Sequence, residues 1–243
     1  MKTMGIAAGA LALVTALPAL AQTESTMPPA SRMDDAADLA SAPVRAPRGA
    51  LELGVDAGFT RGFGSIQGRR GVNEAAGAGA MVGASLGVRL NPRWSLSVSG
   101  QYQGYASGTT APREGVTRGA AASVQATFHG SPYSRVDPWL SFGAGYRALM
   151  ERATAEAPMT ITHGVELGRV EVGIDVRASE NVAISPVIGA DVNMFTWRSG
   201  GGAETATLTD RALNGFIFAG VKGRFDVGGT REPKPAPVEV GGR

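Results

Sequence analysis

The stretch "GRVEVGIDVR", residues 168–177, sets Arg169, Glu171, Asp175 and Arg177 on one side of an extended chain and Val170, Val172, Ile174 and Val176 on the other. On a solvated sheet that charged face meets water; enclosed, it becomes an ion-pair network. A second chemistry is offered by "HGS", His129 to Ser131, where an imidazole lies close to a hydroxyl, the pairing from which a nucleophile is made. The other histidine, His163, has no evident partner, and two histidines without cysteine do not predict a transition-metal site. "GAGAMVG" lacks the strand-to-helix setting of a phosphate loop. Acids and bases are interspersed to a formal charge of +2, so no basic stripe points to nucleic acid. No cofactor is expected.

What must position these groups is set by the ends and the composition. Met1 and Lys2 precede an apolar run from Met4 to Leu17, followed by Pro18 and the triplet Ala19, Leu20, Ala21. This is the plan of a secretory signal peptide, residues 1–21, cleaved near Ala21 and too short to span a bilayer. Residues 22–49, rich in Ala, Pro, Ser and Asp, read as a flexible periplasmic leader, and the Pro-rich residues 229–243 as a periplasmic tail. Beyond the signal no run approaches the roughly 18 apolar residues of a membrane helix, so any span must be built of strands. Glycine, 35 of 243 residues, is about twice its usual share and lies within alternating segments, without a collagen period.

Residues 50–228 carry a period of two in eight segments, about 50–64, 77–91, 94–107, 117–130, 138–152, 164–179, 182–198 and 213–228. Each exceeds the five or six residues typical of a globular strand and suits a tilted membrane strand of about 9–11 residues with some overhang. The connections "NPR", "GSPYSRVD" and "SEN" are compact, whereas "SIQGRRGVNEAA", "GTTAPREGV", "ATAEAPMTIT" and "SGGGAETATLTDRA" are long, and short alternates with long along the chain. Short periplasmic turns and longer external loops are the plan of an outer-membrane barrel.

If the apolar faces meet lipid, the enclosed charges are Glu52, Asp56, Glu151, Glu171, Asp175 and Asp191 against Arg89, Arg147, Arg169, Arg177, Lys222 and Arg224. An eight-stranded bore is just wide enough for side chains to fill. Phe216 and Phe218 fall on the same inner face. Aromatic residues near the segment ends predict two interfacial girdles, with Trp94, Phe128, Trp139 and Phe225 at the periplasmic rim and Phe59, Tyr102, Phe195 and Trp197 at the outer one. Pro186, inside the seventh segment, predicts a bulge.

Over residues 50–228 the chain resembles the small eight-stranded outer-membrane barrels, the OmpA-type, OmpX and opacity-like proteins, by pattern rather than by a diagnostic motif. The resemblance implies an all-β, eight-stranded antiparallel up-and-down transmembrane β-barrel in the outer membrane, monomeric and in contact with lipid and lipopolysaccharide. It also implies assembly by the barrel-assembly machinery, which reads a final aromatic residue. "FAGVKGRF", ending at Phe225, matches in part, with Gly223 where a second aromatic is usual. The function expected is a structural or surface-exposed barrel with a side-chain-filled lumen and no catalysis. The alternatives are a narrow porin or OmpW-like conduit for small hydrophobic solutes, hinted at by Phe216 and Phe218, and a lipid A-modifying enzyme. Enzymes of the latter kind work at the external leaflet, while His129 falls at the periplasmic end. A soluble lipocalin-like barrel requires the reverse polarity, an apolar interior with the Arg169 to Arg177 charges outside.

Overall fold

Alternation of small or polar residues with Val, Leu and Ile, unbroken by proline in six of the eight segments predicted above, produces long strands. The computed structural model describes residues 44–108 and 115–235, so the expected signal peptide and most of the leader lie outside the described residues. The first half contains β1 (Ala46–Arg48), β2 (Ala50–Gln67), β3 (Arg70–Gly71), β4 (Ala76–Asn91), β5 (Trp94–Ser107) and β6 (Val116–His129). The second contains β7 (Val136–Arg152), β8 (Thr160–Arg177), β9 (Val182–Gly200), β10 (Ala203–Thr207), β11 (Leu213–Val227) and β12 (Thr230–Glu232).

Strands β2, β4 to β9 and β11 form the wall, each antiparallel to its neighbours. β11 returns to β2, from Asn214 opposite Gly64 to Val227 opposite Leu51, and closes the barrel. Closure leaves the wall no unpaired edge. At one end the connections are tight. Asn91 Oδ1 accepts the amides of Arg93 and Trp94 at 2.9 and 3.0 Å, which makes the β4–β5 turn. At the other end lie the long loops, which include β3, a helical turn at Val72–Ala75, and β10.

The polarity is inverted relative to a soluble barrel. Phe59 is 73% exposed, Ile188 59% and Val98 58%, while Arg89 is fully buried and Arg147 and Arg169 are 2% exposed. A water-soluble monomer rarely displays a continuous apolar surface larger than a few hundred Å². Here a belt of Val, Leu, Ile and Phe side chains encircles the wall, and lipid is the solvent that accepts it.

The register departs from expectation at three places. Pro186 causes no bulge: Gly173 opposite Val187 and Val176 opposite Ile184 share one register across it, and its pairing with Val221 continues the β9–β11 ladder. Proline cannot donate, but an exposed side chain in a ladder that holds on both flanks leaves the strand straight. The irregularities lie elsewhere, between Glu166 and Gly168 on β8 and, where β8 meets β9, between His163 and Gly164. The third departure concerns the flanks. The end of the leader and the start of the tail pair as β1 and β12, with Arg48 opposite Thr230 and Ala46 opposite Glu232. This ribbon extends the β2–β11 seam in the same register, since Leu51 opposite Val227 is followed three residues on by Arg48 opposite Thr230. Gly49, Gly228 and Gly229, with φ of 61°, 69° and 70°, supply the left-handed backbone between the wall strands and the ribbon, which stays against the barrel: Ala46 is fully buried and the Gly49 amide donates to the Arg89 carbonyl at 2.7 Å.

Candidate functional site

Among the described residues, charged and hydrogen-bonding side chains converge in the interior, which is built in tiers. Near the tight-turn end β4, β6, β7, β8 and β11 bring together Arg89, His129, Asp137, Asp175, Arg177 and Arg224. His129 Nδ1 lies 2.9 Å from Asp137 Oδ2 and 3.8 Å from Asp175 Oδ2. Its Nε2 faces Arg89 Nη1 at 2.5 Å and Arg224 Nη1 at 3.3 Å. Guanidinium groups only donate, so Nε2 must accept and the proton sits on Nδ1, toward Asp137. Glu52 Oε2 neutralises Arg89 at 3.4 Å, Arg224 pairs with Asp175, and Arg177 lies 3.8 Å from Asp137.

In the middle tier Glu171 accepts from Arg169 Nε at 2.5 Å and from Gln125 at 3.3 Å, with Lys222 Nζ at 3.4 Å. Gln125 continues into Ser99 and Ser123, both at 3.1 Å. Asp56 accepts from Gln101 at 3.3 Å and forms no ion pair among the described residues. Above it, Arg147 reaches Asp191 at 2.6 Å, Gln103 at 3.2 Å and Asn193 at 3.2 Å. Arg147 also lies over the Phe216 ring at 4.0 Å, and Arg169 over Phe218 at 4.3 Å. At the long-loop end the polar column stops. Ile66, Val72, Ala75, Leu149, Phe195, Leu208 and Phe216 pack there as a buried apolar cluster.

Most of the charges expected inside are there: Glu52, Asp56, Arg89, Arg147, Arg169, Glu171, Asp175, Arg177, Asp191, Lys222 and Arg224 all face the lumen. Glu151 does not join them. It sits at the long-loop mouth and pairs with Arg70 of β3, beyond the apolar cluster. Glu166 was not foreseen. It is fully buried, 3.8 Å from Arg147 and 3.7 Å from Arg169. The extra residue beside Leu167 shifts the alternation, so that Glu166 and Arg169 both point inward. Asp137 and Asp226 are further inward carboxylates outside the expected set.

Two girdle expectations are corrected. Trp139 is 5% exposed and donates toward Ser185 Oγ inside the lumen, and Phe195 is fully buried in the apolar cluster. Their own parity places them there, with Ser141 and Asn193 respectively, and each ring lies over a cross-strand glycine. Trp139 is opposite Gly173 and Phe195 opposite Gly164. Tyr105 opposite Gly79, Phe216 opposite Gly62 and Phe218 opposite Gly189 repeat the arrangement. A Cβ on Gly79 would stand 2.7 Å from the Tyr105 ring, and one on Gly164 2.9 Å from that of Phe195. These five glycines thus make room for rings. Phe59, Trp94, Tyr102 and Phe225 are exposed, Phe128 packs on Trp94 with centroids 5.2 Å apart, and Trp197 stacks on His163 at 5.0 Å. His163 is therefore a strand residue with partners, among them Tyr146 and Ser199.

Chemically, the His129 cluster does not meet the requirements of a nucleophile. Both ring nitrogens are engaged by Asp137 and guanidinium groups, and Ser131 contributes its backbone amide, 2.8 Å from Asp137 Oδ1. The same arrangement fits a metal ion poorly. His129, Asp137 and Asp175 are close enough to share one, but Arg89, Arg177 and Arg224 already occupy their polar atoms. The arrangement is that of a buried charge lattice.

A charged, side-chain-filled interior inside an apolar wall defines the class: this is a small eight-stranded β-barrel of the outer-membrane type. No protein-family model and no curated protein matches the chain. Among solved structures it is similar to the neisserial surface protein NspA, at 16% identity and a TM-score of 0.45 over 71% of this chain and 95% of that one. OprG from Pseudomonas aeruginosa is similar at 8% identity and a TM-score of 0.45, over 74% and 98% of the two chains. Ail, the attachment invasion locus protein of Yersinia pestis, is similar at 13% identity and a TM-score of 0.42, over 73% and 99%. At such identities and scores these likenesses carry no weight of their own, and the class rests on the inverted polarity.

Proposed function

We propose that the protein is a sealed, non-catalytic outer-membrane barrel whose work is done by its wall and its external loops. The observation that supports this reading is closure of the bore at both levels. The Arg89–His129–Asp137 lattice blocks the tight-turn end, taken as periplasmic, and the Ile66–Val72–Phe195 cluster blocks the long-loop end, taken as external. A conduit for hydrophobic solutes would need Phe216 and Phe218 to line an open path, and instead guanidinium groups cover both rings. The reading includes contact of the outer wall with membrane lipid and lipopolysaccharide, assembly through the exposed Phe225 at the end of the last wall strand, and a monomeric state. In planar bilayers the purified protein is expected to give no sustained channel steps. Large, frequent openings would reject the sealed barrel and favour the narrow porin.

A further inference from the structure

Within the barrel each cation has a carboxylate within 4 Å: Arg89 has Glu52, Arg147 has Asp191, Arg169 has Glu171, Arg177 has Asp137, and Arg224 has Asp175. The rule fails at the long-loop mouth. There a polar cup of about 280 Å³ is lined by Arg70, Arg152 and Arg198 together with Glu74 and Glu151. Arg70 pairs with Glu151, but Arg152 and Arg198 make no ion pair among the described residues, and the Nε of each is buried without a hydrogen-bond partner. The three arginines come from different elements, β3, the end of β7 and β9, so the fold has to converge them. Ala75 lines the cup and also belongs to the apolar cluster beneath it. That cluster separates Arg152 and Arg198 from the carboxylates of the lumen.

We propose that this cup binds the phosphate or sulfate group of an anionic sugar at the cell surface, with Arg152 and Arg198 as its anion ligands. Guanidinium forks suit tetrahedral oxyanions, and a buried unpaired donor is costly until a partner arrives. The volume falls at the lower edge of ordinary ligand sites, which is room for one sugar ring and its charged group, not a long chain. Glu151 presents its carboxylate to the same space, where an oxygen can accept from a sugar hydroxyl.

Calorimetric titration of the full chain in nanodiscs, with glucose 6-phosphate, glucose 6-sulfate and glucose, tests the site. Saturable binding of the two esters but not of glucose is expected, weakened about tenfold or more in R152Q and R198Q. R118Q, which removes an exposed wall arginine outside the cup, should leave it unchanged. Heat-modifiable gel mobility of each variant separates lost binding from lost folding. Equal binding by R152Q and R198Q folded to the native extent, or an isotherm with glucose matching those of the esters, would overturn the proposal. Loss of the ester isotherm in nanodiscs containing a phosphorylated glycolipid assigns the cup to the membrane's own headgroups, and persistence to a solute; either result supports the site.

Discussion

Asp191 holds Arg147 at 2.6 Å in a buried site, and Glu166, 3.8 Å away, is the only other carboxylate paired with that guanidinium among the described residues. Removing one member of a buried pair leaves a charge uncompensated, at about 3–5 kcal/mol. Asp191→Asn should fall toward the lower end of that range because Glu166 remains. Urea unfolding in detergent micelles measures it, and an unchanged midpoint would mean that water already screens Arg147. The glycine beneath each inward ring makes a different demand. Gly173 has no room for a Cβ beside Trp139, so Gly173→Ala should cost about 1–3 kcal/mol through overpacking. Trp139→Leu in the same chain should recover much of the loss, and strictly additive effects of the two changes would show that the ring is not what the glycine accommodates.

Strands β8 and β9 show what alternation can and cannot tell. Val170 to Val176 face lipid and Arg169 to Arg177 face the lumen, as period two requires, so the fold and most of the lattice were legible from residue order. A charge on the lipid side near the midplane costs about 2–4 kcal/mol. Val172→Arg should therefore reduce the assembled, heat-modifiable fraction more than Glu171→Gln does. In the latter, Arg169 keeps Glu166 at 3.7 Å and Asp191 at 3.9 Å. Equal assembly of both variants would mean that the faces are reversed. Glu166 was illegible because one extra residue beside Leu167 reverses parity without changing composition. Trp139 and Phe195 were misplaced for another reason. Nearness to a strand end suggests an interface, but parity decides the side, and the opposing glycine is a signal available only once register is known. Asp137 and His129 lie only eight positions apart in sequence, yet the turn between β6 and β7 had to fold before their pairing could be seen.

For the molecule as a whole, lipid and water exchange their usual places. Hydrophobic burial cannot hold the strands together where the outside is as apolar as a core, so backbone ladders around a closed ring and the enclosed charge lattice must do so. Such a protein should leave membranes with detergent and stay in the pellet under carbonate or high salt; release by carbonate would reject the transmembrane assignment.

The paired flanks under the barrel bear on mechanical load. Ala46 and Glu232 lie opposite each other at the far end of the β1–β12 ribbon, so a pull that separates leader from tail opens the ribbon one pair at a time. The in-plane seam of β2 and β11 comes under tension only after those pairs have parted. The ribbon therefore acts as a fuse. Tugging on the flanks spends itself on a short zipper of three residue pairs before it reaches the bonds that keep the ring shut.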